Sequence, residues 1–341
     1  MENNNKNNYV IKLAIDTMGA DRGTEVIIHG ADIIASSHKI KFIFVGDKEL
    51  IQPILSRTNY IVDSEVIHTS DYVKSDEKGS EALRSGKSTS MWVAINLVKE
   101  GKADAIVSAG NSGALLAMSY ISLRTINEVS RPAMIAYFPT KTGLTAMLDL
   151  GANIECNSKN LIDFALMGSA FSRIILKIKN PTVALLNVGE ENQKGNLILQ
   201  EASVQLSKQS SPVNYFGFVE GDDITEGKVD VIVTDGFTGN IALKTAEGTA
   251  KFVTHLLEES FRSSLLSKIG YLFARTSLKK MREKVDPRRY NGAVMLGLNG
   301  IVVKSHGSTD KEGFSNALLV AYEMVKGDFI NDLKKKILNK I

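Results

Sequence analysis

Short apolar runs alternate with longer amphipathic segments along most of the chain. The runs that predict strands span residues 10–15, 40–45, 61–67, 105–107, 133–138, 144–148, 183–187, 214–218 and 229–233. The segments that predict helices span residues 24–36, 80–99, 113–126, 161–178 and 197–208. Strands that alternate with helices of this length are typical of βαβ units. The pattern predicts a three-layer α/β/α, Rossmann-like fold with a mainly parallel sheet, in a single domain over residues 1–341.

Polar, glycine-rich turns follow several predicted strands, at residues 16–21, 110–113, 149–153, 187–191 and 235–240. Ligands of such sheets bind outside the carboxyl ends of the strands, although any strand-to-helix turn favours Gly, Asn, Asp and Ser. Turn 235–240 reads DGFTGN and precedes a helix that we expect to begin near Ile241. Residues 108–113 read SAGNSG and have the same design. Because helix N-termini present N–H groups to anions, both turns predict a site for phosphate or another oxyanion.

Composition narrows the class of protein. A chain of 341 residues, 43% of them hydrophobic, can bury a large core, and a net charge of +3 is too small to indicate nucleic acid. Cys156 is the sole cysteine, so no internal disulfide can form, and without a His or Cys cluster we expect no metal and no cofactor. No apolar run reaches the roughly 20 residues that cross a bilayer. The polar N-terminus lacks the apolar segment of a signal peptide, so we expect none, and the single cysteine fits a reducing cytoplasm.

Several catalytic motifs are missing from the sequence. There is no P-loop, no dinucleotide fingerprint after the first strand, no G-x-S-x-G elbow and no H-E-x-x-H. The chain thus combines anion-binding turns with no strong side-chain nucleophile. This combination fits a reaction in which the bound anion itself attacks.

Two side chains are candidates for contact with that anion. Lys194 lies in a polar loop before Gly-Asn, where it could neutralise a phosphate or be an ordinary solvated lysine. His306 lies in a loop of small residues, where it could donate to a carbonyl or phosphate or could cap the following helix.

Residues 251–289 form a basic amphipathic segment, with ten Lys or Arg against four acidic residues. We expect two helices here, with a break at Gly270. Such an element can lie on an anionic membrane or bind an acidic partner. Alternatively, it is a solvated helix whose apolar side packs in a dimer interface.

Several short motifs occur together in the order found in one bacterial family. They are IDTMGAD at 15–21, SAGNSGAL at 108–115, LDLGAN at 148–153, MGS at 167–169, LNVGEE at 186–191, KGN at 194–196, DGFTGN at 235–240 and HGS at 306–308. On this ordered set the chain resembles the PlsX family of acyl-acyl-carrier-protein:phosphate acyltransferases over residues 9–326. Residues 1–8 precede the family's usual start, and we expect them to be disordered.

The resemblance implies that a fatty acyl group is transferred from acyl carrier protein to inorganic phosphate, giving acyl-phosphate for phospholipid synthesis. We assign phosphate binding and charge neutralisation to Lys194, and orientation of phosphate or donation to the thioester oxyanion to Asn240. The substrate-binding residues expected on the same basis are Asp16, Gly19, Gly110, Asn111, Ser112, Gly113, Asp235, Thr238, Gly239, His306, Gly307 and Ser308.

The resemblance also implies a homodimer held peripherally on the inner face of the cell membrane by the helical tip at 251–289. A membrane glycerol-3-phosphate acyltransferase would then use the product. The expected membrane or carrier-protein contacts are Arg262, Leu265, Leu266, Lys268, Ile269, Leu272, Phe273, Arg275, Lys279 and Lys280. The competing interpretations are a phosphotransacetylase-like enzyme that uses acyl-CoA and a non-catalytic, membrane-associated scaffold. A dehydrogenase would rest on the α/β pattern alone.

Overall fold

The computed structural model describes residues 9–284 and 286–338, so the predicted disorder of residues 1–8 lies outside the described residues. The strands are β1 (Ile11–Asp16), β2 (Ile40–Gly46), β3 (Glu65–His68), β4 (Ala105–Ser108), β5 (Ala133–Pro139), β6 (Leu144–Leu148), β7 (Thr182–Leu186), β8 (Asn214–Val219), β9 (Val231–Val233), β10 (Ala293–Leu296) and β11 (Ile301–Lys304). The helices are α1 (Thr24–Ala35), α2 (Lys48–Leu55), α3 (Gly79–Ser85), α4 (Ser90–Lys99), α5 (Ser112–Leu123), α6 (Ser158–Ile175), α7 (Leu197–Leu206), α8 (Gly236–Arg262), α9 (Leu265–Lys284), α10 (Lys311–Lys326) and α11 (Phe329–Leu338).

In the described part of the chain, eleven strands form one sheet in the order β3-β2-β1-β4-β11-β10-β5-β6-β9-β7-β8. One parallel set contains β1–β4 and β11, and the other contains β6–β9. Antiparallel pairs of β10 with β11, of β5 with β10 and of β5 with β6 join the sets. The two parallel sets therefore run in opposite directions. The predicted mainly parallel sheet is confirmed.

Helices cover both faces of this sheet, which confirms the three-layer α/β/α prediction. One face carries a continuous apolar core beneath α1, α6, α10 and α11. The other face is divided, with α3, α4 and α5 over the β1–β4 half and α8 over the β6–β9 half. Strand residues alternate between the faces, as Leu13 and Ala14 of β1 illustrate. The predicted helical pair is present as α8 and α9.

Strands β10 and β11 were not predicted from the sequence. Each has only four residues, and Gly292, Gly297 and Gly300 interrupt the apolar pattern around them. Their stability comes from distant partners, because β11 pairs with β4 and β10 pairs with β5. Because β11 lies next to β4 in the middle of the sheet, the loop at 304–308 lies beside the end of β4.

Several predicted boundaries differ from the structure, and three of the errors concern where helices begin or break. The helix predicted at 80–99 is divided, because the chain turns at Gly86 and Thr89 caps a new helix by accepting from Trp92 N. Helix α8 begins at Gly236 and not near Ile241.

The expected break at Gly270 is the third error, since α9 is continuous through it. The break between α8 and α9 falls at Ser263 and Ser264, where the Ser264 hydroxyl accepts from Ser267 N at 3.0 Å. An exposed glycine is tolerated inside a helix at a cost of about 1 kcal/mol.

Candidate active site

The polar turns divide into two groups because the parallel sets run in opposite directions. A first group follows β1, β4 and β11 and comprises residues 16–21, 108–113 and 304–308. A second group follows β6, β7 and β9 and comprises residues 149–153, 187–196 and 235–240. The predicted site residues thus do not all follow strands of one direction.

Hydrogen bonds join the three turns of the first group. Ser305 N donates to Ser108 O at 2.9 Å, and Asp21 N donates to Gly307 O at 3.0 Å. The turns approach closely, since a Cβ on Gly19, whose φ is +80°, would lie 3.4 Å from Cα of Gly110. Gly19, Gly110 and Gly307 therefore belong to one compact unit.

Asp16 lies beneath this unit and is only 1% exposed. Its carboxylate accepts from Ser90 Oγ at 2.6 Å, from Ser108 Oγ at 2.7 Å and from Met18 N at 3.2 Å. Burial raises the pKa of Asp16, while the two hydroxyl donors oppose that shift. These contacts fix α4 and β4 relative to β1, so Asp16 supports the site from below.

The N-terminus of α5 is open in this group. Asn111 caps the helix by accepting from Ala114 N at 3.0 Å, and its amide donates to Ser75 O at 2.9 Å and to Glu77 O at 2.8 Å. The Asn111 side chain is therefore committed to protein contacts. By contrast, the backbone N–H groups of Ser112 and Gly113 have no hydrogen-bond partner within residues 9–284 and 286–338. Two such amides at a helix N-terminus can bind an anion.

His306 lies in the loop after β11, where it is exposed to solvent although part of its ring is covered by protein. Its Nδ1 accepts from Ser308 N at 3.2 Å and lies 3.0 Å from Ser308 Oγ, which places the proton of the neutral ring on Nε2. Burial, and then the charge of Lys304, lower the pKa of His306. The ring is consequently a neutral Nε2–H donor near pH 7. It does not cap α10, because Asp310 performs that role by accepting from Gly313 N at 2.9 Å.

Lys304 was not predicted as a site residue, yet it is 8% exposed at the end of β11. Its ammonium group donates to Ala109 O at 3.3 Å and to Ser305 O. Burial lowers the pKa of Lys304 to about 8. The sequence gave little sign of this, because Lys304 ends a strand too short to be recognised and lysine is usually exposed.

In the second group, the N-terminus of α8 is closed by its own residues. Asp235 accepts from Thr238 N at 2.9 Å and from Thr238 Oγ1 at 2.8 Å, and Gly236 N donates to Asn153 O at 2.7 Å. Any anion placed here would face the Asp235 carboxylate. The DGFTGN turn is thus a self-capped helix start with fewer open amides than the turn at 108–113.

The glycines of this turn allow α8 to dock against the turn after β6. A Cβ on Gly239 would lie 1.9 Å from Asp149 O, and one on Gly236 would lie 2.6 Å from Asn153 O. Asp149 is fully buried and accepts from the amides of Met134, Gly151, Ala152 and Asn153 and from the Asn153 side chain. The close approach fixes where α8 starts.

Lys194 and Asn240 both belong to the second group and both are exposed. Asn240 lies beside the turn after β6, because a Cβ on Gly151 would be 3.6 Å from Asn240 Cβ. Lys194 packs against Gly189, and its carbonyl accepts from Asn187 Nδ2 at 3.2 Å. Both side chains are free to meet a ligand from solvent.

A largely apolar cavity of about 1150 Å³ lies between these loops and α8. Its walls include Cys156, Asn196, Phe237, Thr238 and Ile241. Its size and lining suit an organic ligand with an apolar part.

Helix α8 connects the two groups. Asn240, Lys244 and Glu247 have the i, i+4, i+7 spacing of one helix face. Lys244 lowers, and Glu247 raises, the pKa of His306, so this face of α8 lies near the first group. Asn240 therefore lies on the side of α8 that faces Lys304 and His306.

The tip formed by α8 and α9 has an exposed apolar surface. The ten predicted contact residues are all exposed, and Leu265, Leu266 and Phe273 are 79%, 80% and 87% exposed. Helix α9 buries none of its residues. No helix in the described part of the chain is long and apolar enough to cross a membrane. Within the same residues, no His, Cys, Asp and Glu cluster has the arrangement of a metal site.

Solved structures identify the fold as that of phosphotransacetylases. The chain is similar to a phosphotransacetylase from Streptococcus pyogenes, with a TM-score of 0.65, 16% identity and coverage of 93% of this chain and 94% of that one. The EutD phosphotransacetylase from Staphylococcus aureus gives a TM-score of 0.60 at 18% identity, with the same coverage. At such identities the likeness shows the fold alone.

Sequence relatives define the family. The family model described as "Fatty acid synthesis protein" matches residues 11–332. Phosphate acyltransferase from Paramagnetospirillum magneticum is 47% identical over 331 residues, 96% of this chain and 93% of that protein. Phosphate acyltransferase from Rhodospirillum centenum is 49% identical over 327 residues, 95% of this chain and 92% of that protein. The chain therefore belongs to the fatty acid synthesis protein family and, within it, to the phosphate acyltransferases.

Proposed function

We propose that this enzyme transfers a fatty acyl group from the thioester of acyl carrier protein to inorganic phosphate, with acyl-phosphate for phospholipid synthesis as product. The observation that carries the proposal is the open N-terminus of α5, which offers the amides of Ser112 and Gly113 to an anion, in a chain whose single cysteine is not activated. Cys156, the only cysteine, lines the apolar cavity, but burial and then the charges of Asp149 and Asp235 raise its pKa to about 11. A thiol in that state is a poor nucleophile near pH 7, which leaves phosphate to attack.

In the proposed reaction, a phosphate oxygen attacks the thioester carbonyl carbon and the carbonyl oxygen becomes a tetrahedral oxyanion. Collapse of this intermediate breaks the carbon–sulfur bond, and the carrier's thiolate leaves as the thiol, with the proton that the attacking monohydrogen phosphate gives up. Alignment of the reactants can account for about 7–11 kcal/mol of the barrier. Lys194 neutralises the phosphate charge, and Asn240 orients phosphate or donates to the oxyanion. The open amides of Ser112 and Gly113 bind phosphate, with the Nε2–H of His306 as a nearby donor.

Substitution of Lys194 or Asn240 by alanine tests these assignments. Because both side chains are exposed, neither change should disturb folding. Loss of one oxyanion donor typically costs about 10²–10³ in rate, so we expect at least that fall in turnover. Lys179→Ala removes another exposed lysine, on the loop before β7, and should keep full activity. Near-normal rates in both Lys194→Ala and Asn240→Ala would refute the assignments.

A phosphotransacetylase-like reaction with acyl-CoA is the second candidate, because acyl-CoA offers the same thioester chemistry. Mass detection of acyl-phosphate, with phosphate and either acyl-carrier protein or acyl-CoA of equal chain length, separates the donors. A product from acyl-CoA alone would favour the second candidate. Absence of phosphate-dependent thioester loss with either donor would instead favour a non-catalytic scaffold.

We further propose that the enzyme acts as a homodimer at the inner surface of the cell membrane, in the cytoplasm. Support comes from the exposed apolar residues of the α8–α9 tip, which alternate with Lys and Arg. Such a surface suits anionic headgroups, and its cations also suit the acidic acyl carrier protein. A membrane glycerol-3-phosphate acyltransferase would receive the acyl-phosphate there.

A further inference from the structure

Lys304 has a donor that no part of the described protein uses. A lysine ammonium group carries three N–H donors. Two of them reach Ala109 O, at 3.3 Å, and Ser305 O. The third has no partner among residues 9–284 and 286–338, although the side chain is only 8% exposed. A buried ammonium group with an unused donor is costly unless something else binds it.

The charges around Lys304 leave room for an added anion. Asp16 in β1 and Asp21 in the following loop both favour its charged form, but neither forms an ion pair with it. Lys244 of α8 opposes the charge, and Lys304 in turn lowers the pKa of the adjacent His306. Asp16 is already satisfied by Ser90 and Ser108. The charges near Lys304 are therefore one further lysine, Lys244, and two carboxylates, of which Asp16 is buried and already hydrogen-bonded and Asp21 is exposed to solvent.

Lys304 also contacts the turn that leads into the open N-terminus of α5. Its acceptor Ala109 O is three residues before Ser112, in the turn that leads into the helix. We propose that Lys304 is a phosphate ligand, whose free N–H binds the same anion as the amides of Ser112 and Gly113. This inference rests on the proposed function, because it takes inorganic phosphate as the acyl acceptor.

The pH dependence of phosphate binding distinguishes this role from a structural one. The pKa of Lys304 lies near 8, so its charge is present below that pH and is lost as the pH rises through it. If only the charged form binds, the affinity for phosphate should fall about tenfold for each pH unit above 8. If Lys304 only formed hydrogen bonds with Ala109 and Ser305 and did not contact phosphate, the affinity for phosphate would not depend on pH in this way.

The test uses calorimetric titration with inorganic phosphate alone, and the phosphate KM of acyl-phosphate formation, from about pH 7 to about pH 9.5. We expect Lys304→Met to raise both the Kd and the KM for phosphate at least tenfold near pH 7, with the KM for the acyl donor unchanged. Lys336→Met is the matched control, because burial also lowers the pKa of Lys336 to about 8, in α11. This control should keep the wild-type profile.

Each outcome decides the proposal. A wild-type phosphate Kd that stays constant across this pH range overturns it, even if Lys304→Met does not fold. A folded Lys304→Met variant that binds phosphate as the wild type does also overturns it. If the wild type binds phosphate as expected but makes no acyl-phosphate, the proposed function fails while the ligand assignment stands.

Discussion

Gly239 allows α8 to begin in direct contact with the turn after β6, and adding one methyl group there should separate the two. The Cβ of Gly239→Ala would lie 1.9 Å from Asp149 O, whereas real Cβ contacts are essentially never under 3.0 Å. The gap must therefore widen by at least 1.1 Å, and the opposing atom is backbone that cannot rotate away. Overpacking of this kind typically costs about 1–3 kcal/mol.

A displacement of this size should also affect catalysis. It moves the start of α8, which carries Asn240, and a misplacement of about 1 Å can cost on the order of 10²-fold in rate. We expect Gly239→Ala to unfold at lower urea concentration and to lose activity at phosphate and acyl-donor concentrations that saturate the wild type.

The matched control is Gly248→Ala on the same helix. A Cβ on Gly248 meets nothing within 4 Å, so alanine should stabilise the helix by about 0.5–1 kcal/mol and leave the rate unchanged. The reasoning would be refuted if Gly239→Ala matched Gly248→Ala in both urea midpoint and rate.

Two further predictions concern the tip and the cap of α5. Leu266→Glu with Leu272→Glu should release the protein from anionic liposomes in a flotation assay, whereas Thr276→Glu with Ser277→Glu adds the same charge and should retain more binding. Association should weaken at high salt, and equal binding by both double variants would argue against an apolar tip. Asn111→Ala should lower the free energy of unfolding by about 1–2 kcal/mol, because one side chain both caps α5 and holds the segment before α3. An unchanged urea midpoint would contradict that structural role.

Much of the fold could be predicted from the sequence because most strands and helices have strong local patterns. The first strand, predicted at 10–15, is found at Ile11–Asp16, and the run at 144–148 is β6. Prediction failed where local signals were short or ambiguous, as in the four-residue strands β10 and β11. These strands are stabilised by pairing with strands that are distant in sequence, and the local residue pattern contains no sign of that pairing.

For the candidate site, too, some features could be predicted from the sequence and others depended on the tertiary structure. The glycine-rich turns were predicted from the residues, and their positions after strands are those expected. Whether a turn can accept an anion was decided by side-chain contacts. At α8 the Asp235 carboxylate occupies the helix N-terminus, whereas at α5 the Asn111 side chain leaves two amides open. The sequences DGFTGN and SAGNSG do not distinguish these outcomes.

The sequence by itself determined the α/β class, the order of the glycine-rich turns and the family. These features follow from local composition and from motif order. Only the tertiary structure decided that the sheet reverses direction, that α8 joins the two groups of turns, and that Lys304 is buried against the turn that leads into α5. The physical reason is that burial and charge depend on contacts between distant segments, such as Ser305 with Ser108.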